Sequence, residues 1–176
     1  MSSTNSPTMS LPKLSDPDTA SAMFEAVRSV AEHSFFAVAE PGDERSFAAQ
    51  ASAVPSWLVA TVRFEQGPLK GSVACTMPTS LARGLFDAFA GRDPSEPEPG
   101  AELVHDLVGE FSNMVCGAWL TRVASSRTFT LHHPTVEPVS TPRHGGGPRL
   151  LAVIDDVPVA VEVTLKAEPQ SEASQD

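Results

Sequence analysis

The chain has 176 residues, 41% hydrophobic and 19% charged, which suffices for one domain with a real core. Twelve basic against twenty-two acidic residues leave a formal charge of −10, which argues against nucleic acid or an anionic membrane surface as the main partner. Cys75 and Cys116 make no disulfide framework or metal cluster, the first twenty residues hold no apolar signal core, and no window approaches about eighteen apolar residues, so a cytoplasmic protein with free thiols and no membrane span is expected.

Residues 1–18 are polar and rich in Pro and Ser, and residues 167–176 share that character. Both are expected to be disordered tails around a domain at 19–166. "DPDTASAMFEAVRSVAEHS" predicts a first helix capped by Asp18 or Thr19, with Met23, Val27, Val30 and Ala31 as its apolar stripe. Residues 35–78 read as strand-like, broken at "EPGDER", "AVPS" and "EQGPLKG", and 57–77 predict a hairpin. "TSLARGLFDAFAG" predicts a second helix with Thr79 or Ser80 as cap, and "GRDPSEPEPG" a loop. A long helix is expected over about 101–123. "RTFTLHHP" predicts a strand stopped by Pro134, "TVEPVSTPRHGGG" a mobile connection, and "PRLLAVIDDVPVAVEVTLK" a hairpin turning at "DDVP". Grouped strands and grouped helices imply an α+β domain, a largely antiparallel sheet with helices packed on it.

The long helix is the informative segment. At about 100° per residue, Val104, Leu107, Val108, Phe111, Met114, Val115 and Ala118 share one face, which should pack on the sheet. Asp106, Glu110, Asn113 and Gly117, at steps of four, three and four, form a second line turned away from it. A solvated face would produce such a line. However, this one holds no Lys or Arg, and it carries Asn and Gly, which cost a few tenths to about 1 kcal/mol each in a helix interior. Gly117 would leave a partner unobstructed.

The run "GEFSNMVCG", residues 109–117, resembles the signature of the CheC/CheX/FliY family of chemotaxis phosphatases, closest to its CheX-like members. Asp106, Glu110 and Asn113 match the family's Asp/Ser-x₃-Glu-x₂-Asn spacing, and Met114 and Gly117 its "NM..G" continuation. "LHHPTV", with Pro134, is similar to a family strand ending in Pro-Thr, and "VRFEQGPLKGSVACTMP" to the hairpin before its second helix. The similarity spans most of residues 20–165, specific at the E-x-x-N helix and loose elsewhere. The family fold is internally duplicated. In "SAMFEAVRSV" Glu25 is followed three residues on by Arg28 instead of Asn, so one active helix per chain is implied.

The resemblance implies a CheX-like sheet packed against two or three helices and a homodimer. It implies hydrolysis of the aspartyl phosphate on a CheY-type receiver domain. Aspartyl phosphate is a reactive acyl phosphate, so the main task is holding a water in line with phosphorus, which a carboxamide does without adding charge. Asn113 would hold that water and Glu110 would pair with the receiver's lysine, with Asp106 and Gly117 assisting docking. No cofactor is expected on this chain, and Mg²⁺ is expected on the receiver. A binding module without catalysis and an oligomerisation domain remain the alternatives.

Other constellations carry less. Cys116 and Arg122 have Cys-x₅-Arg spacing, but they fall inside a helix and on different faces. His132 and His133 would point to opposite sides of a strand and lack further metal ligands. "HGGGPR" lacks the Lys-Ser/Thr of a phosphate loop, and Asp155-Asp156 suits a turn. Trp57 and Trp119 are expected in the core or an interface.

Overall fold

Asp16 and Pro17 start the first helix. The Asp16 carboxylate accepts from the backbone N–H of Asp18, and Pro17 sits where a missing N–H costs nothing. A computed structural model of the protein describes residues 11–167, apart from residues 94, 143 and 146. In chain order the elements are α1 (Pro17–Ser34), β1 (Ala39–Pro41), α2 (Glu44–Ala51), β2 (Trp57–Gln66), β3 (Leu69–Pro78), α3 (Thr79–Ala90) and α4 (Ala101–Val123). They continue with β4 (Thr130–Leu131), β5 (Thr135–Val139), β6 (Arg149–Ile154) and β7 (Val157–Ala167). All pairings are antiparallel, in the order β1-β6-β7-β3-β2-β4, and β5 also pairs with β2. This is the α+β architecture expected.

Strand alternation divides the core between two faces. Leu58, Ala60, Val62 and Phe64 of β2, Val73, Cys75 and Met77 of β3, and Val159 and Val161 of β7 share one buried cluster with α1, α3 and α4. Trp57 of β2, Leu151 of β6 and Ala160 of β7 turn to the other face, where Phe47 of α2 covers them. Trp57 and Trp119 are both fully buried. The β6–β7 hairpin turns at Asp155 and Asp156, with φ values of 47° and 65°, so both central residues are left-handed, as a type I′ turn requires.

Five expectations change. First, residues 44–51 are a helix: Asp43 accepts from Ser46 N–H, and this cap outweighs the local strand-like reading. Four helices therefore pack on the sheet among the described residues. Second, α1 is capped by Asp16, not Asp18 or Thr19, and Pro78 stands at the N-cap of α3, so neither Thr79 nor Ser80 caps it. Third, residues 135–139 are a strand on β2, because Val136 and Val139 find apolar neighbours there. Fourth, the strand before Pro134 shrinks to Thr130–Leu131. Fifth, Leu11 and Leu14 are buried in the core, so packing begins before residue 19. Of the tails expected at 1–18 and 167–176, residues 1–10 and 168–176 lie outside the described residues.

Candidate functional site

Helix α4 is pinned along its length. Val104, Leu107, Val108, Phe111, Ser112, Val115, Cys116, Trp119 and Leu120 are buried. Ser112, Cys116, Trp119 and Leu120 widen the apolar face beyond the seven residues anticipated, whereas Met114 and Ala118 lie at its margin. Ser112 stays satisfied in the core by donating to the carbonyl of Val108 at 2.9 Å. Burial pushes the Cys75 thiol up to about 12, against a smaller opposing hydrogen bond with Ser112. Burial, and secondarily Cys75, pushes Cys116 up to about 12. A reactive nucleophile needs the opposite shift, so the Cys116-x₅-Arg122 spacing is a coincidence of helix sequence.

The free side of α4 faces a cleft of about 720 Å³. His105, Asp106, Gly109, Glu110 and Asn113 form one wall, and Leu131, His132, His133, Pro134 and Val136 the other. Two adjacent rows of the helix meet there. His105, Gly109, Asn113 and Gly117 recur at steps of four, and Asp106 and Glu110 lie on the neighbouring row. The structure thus brings Asp106, Glu110 and Asn113 to one cleft. Gly117 is the member of the expected strip that does not line it. Its missing side chain faces Leu131, whose Cδ1 would lie 3.8 Å from an added Cβ.

The opposite wall is shaped by a bulge. Leu131 pairs with Phe64 and Thr135 with Thr61, so the three residues 132–134 stand opposite the two residues 62–63. Pro134 has no N–H to give the ladder, which is a local reason for the break. The extra residue interrupts the ladder; both His132 and His133 border the cleft, and His132 also borders a second depression beside Arg63, Glu65 and Lys70. His132 is held by its N–H to the Arg63 carbonyl at 2.9 Å and lies 3.4 Å from the Glu65 carboxylate.

The Pro134 ring rests against the helix at Gly109. A Cβ added there would lie 3.1 Å from Pro134 Cγ and 3.5 Å from Val136 Cγ2. Gly109 therefore sets how closely the bulge approaches the helix. Sequence reasoning assigned no role to Gly109, His105, His132 or His133. The i, i+4 spacing of His105, Gly109 and Asn113 was readable, but the wall they face was not. Among the described residues, the side chains of Asp106, Glu110 and Asn113 make no hydrogen bond or ion pair. No three His, Cys, Asp or Glu side chains among the described residues are grouped so as to hold a metal ion. No helix among them is long and apolar enough to cross a membrane.

The mostly antiparallel sheet with helices packed on it matches CheX-type structures. CheX from Vibrio vulnificus superposes with a TM-score of 0.63 at 18% identity, covering 85% of this chain and 97% of that one. A CheC-like superfamily protein from Shewanella gives 0.63 at 17% identity, covering 86% and 99%. CheX from Borrelia burgdorferi, solved as a CheX–CheY–BeF₃–Mg²⁺ complex, gives 0.59 at 15% identity, covering 86% and 99%. At these identities the likeness is one of fold. Residues 58–137, which contain the central hairpin, α3, α4 and the bulge, match the family model described as chemotaxis phosphatase CheX. That match, together with these folds, supports a likeness to the CheC/CheX/FliY family. None of the curated protein sequences compared with it matches.

Proposed function

We propose that this chain hydrolyses the aspartyl phosphate of a CheY-type receiver domain. The observation that carries the reading is that Glu110 and Asn113 stand one turn apart on a helix pinned to the sheet, over one cleft, with no hydrogen-bond or ion-pair partner among the described residues. Fixed polar groups left unsatisfied at a cleft are suited to an incoming surface. The family match and the crystallisation of a relative of the same fold with CheY support the choice of partner. Asp106 extends the docking surface, and the phosphatase works in the cytoplasm as a homodimer, as the family resemblance implies.

In the reaction the Asn113 carbonyl accepts from a water, and its amide donates to the water or a phosphoryl oxygen. The water oxygen is thereby held in line with phosphorus. The new P–O bond forms as the bond to the receiver's carboxylate breaks. The aspartate leaves as a carboxylate, and the water's proton goes to the departing phosphate or to solvent. Glu110 fixes the geometry by pairing with the receiver's lysine. Mg²⁺ on the receiver supplies charge neutralisation of the phosphoryl group.

The test is phosphate release from phosphorylated receivers of the same genome, with Mg²⁺, for the parent, Asn113→Ala and Glu110→Ala. Asn113→Ala should lose turnover on the order of 10²-fold while still binding, and Glu110→Ala should weaken both. Parent-like turnover by Asn113→Ala would refute the role of the amide. A parent that binds receivers without turnover would be a docking module.

A further inference from the structure

Asp106 and Glu110 border two depressions. One is the cleft already described; the other, on the far side of the same helix row, is an apolar pocket of about 530 Å³. Its walls are Phe35, Phe86, Phe89, Leu103, Leu107 and Met114. Phe89 and Leu103 are 60% and 51% exposed, two of the four exposed large hydrophobic residues among those described. Such side chains are ordinary when scattered, but here both line one concave surface. The pocket is preformed: Phe35 packs, rings tilted, against Phe111 of α4 with centroids 5.4 Å apart and against Phe89 at 5.7 Å.

We infer that this pocket is the apolar half of the receiver-docking surface, taking an aliphatic or aromatic side chain that the receiver presents beside the cation paired with Glu110. The inference rests on the proposed function and names a second contact for the same partner. Continuity supports it, because Asp106 and Glu110 line the pocket as well as the cleft. Charge points the same way. The two carboxylates have no ion pair among the described residues, and they rim the pocket with negative charge. A cation flanked by an apolar residue is complementary to such a rim. A second copy of this chain fits poorly. A twofold contact through the pocket would bring two acidic ridges together, on chains of formal charge −10 each.

The test titrates a fluorescently labelled CheY-type receiver, activated with beryllofluoride and Mg²⁺, with the parent, Leu103→Ser and Phe89→Ser/Leu103→Ser. Thermal melts check that each variant is folded, and Leu103→Ser is the milder variant should the double variant fail to fold. The double variant should weaken binding roughly tenfold or more, with turnover at saturating receiver near that of the parent. The loss should persist at high salt, where the contribution of Glu110 is screened. If the parent turns receivers over and both variants bind like the parent, the pocket is not part of the docking surface and the phosphatase reading stands. If the variants abolish self-association in sedimentation and leave receiver binding intact, the pocket is a subunit interface and the inference is wrong. A parent that binds no receiver overturns both readings.

Discussion

Two glycines of one helix row allow a quantitative test of how the cleft is built. In a helix interior, Gly→Ala gains about 0.5–1 kcal/mol from reduced backbone freedom in the unfolded chain. At position 117 that gain should be realised, because the new methyl would meet Leu131 Cδ1 at an ordinary 3.8 Å. For a domain of this size it amounts to about 1–4 °C in Tm. At position 109 the same methyl would meet the Pro134 ring at 3.1 Å. That ring cannot retreat freely, since β5 pairs with β2 immediately after it and His132 N–H holds the bulge to Arg63 before it. Overpacking of this kind costs about 1–3 kcal/mol. Gly109→Ala should therefore melt roughly 2–10 °C below Gly117→Ala despite identical chemistry. The assay is far-UV circular dichroism melting of the two variants and the parent, with the imidazole resonances of His132 and His133 followed by NMR. Only Gly109→Ala should move those resonances. If Gly109→Ala melts as high as Gly117→Ala with the imidazoles unmoved, Gly109 does not set the width of the cleft.

Two further predictions concern the scaffold. Cys75 and Cys116 have thiols raised to about 12 in the folded protein, against about 8.5 when unfolded. Their contribution is complete below the unfolded value and is lost as pH rises toward the folded one. Stability should fall by roughly 2–4 kcal/mol between pH 8 and pH 10. Urea midpoints across that range should flatten in Cys75→Ala/Cys116→Ala, and a parent with no such fall would contradict the assignment. In the β6–β7 turn, Asp156→Gly should be neutral or stabilise by up to about 1 kcal/mol, because it relieves a left-handed φ of 65°. Asp155→Gly should be the less stable of the two in thermal melts, because Asp155 also accepts from Val38 N–H at 2.9 Å. Equal melting temperatures would remove any role for that bond.

Much of the fold was legible because it rests on period and punctuation. The stripe Met23, Val27, Val30 and Ala31 buries as its spacing demands. The hairpin over 57–77, the helix over 101–123 and the turn at Asp155-Asp156 each carry a local signal that burial reinforces. The failures share a cause. Helix α2 and strand β5 are short segments whose state is settled by a partner distant in sequence. Phe47 packs with Leu151 and Ala160 on one face of the sheet, and Thr135–Val139 takes its ladder from β2. Local propensity is too weak to anticipate either.

At the candidate site, the sequence by itself determined one wall. The rise and twist of an α-helix place Asp106, Glu110 and Asn113 together at three- and four-residue steps, whatever lies opposite. The apolar residues between them oblige that helix to lie on the sheet. Only the tertiary structure decided what stands across the cleft. The bulge at 132–134 sets His132, His133 and Pro134 along the cleft, and the absence of a side chain at Gly109 lets that proline approach. Tertiary packing also set apart the two glycines of the row, Gly109 beneath the proline and Gly117 beneath Leu131. The physical reason is that helix geometry is a local property of consecutive residues, whereas a bulge and a close approach depend on registers set by strands some seventy residues apart in the chain.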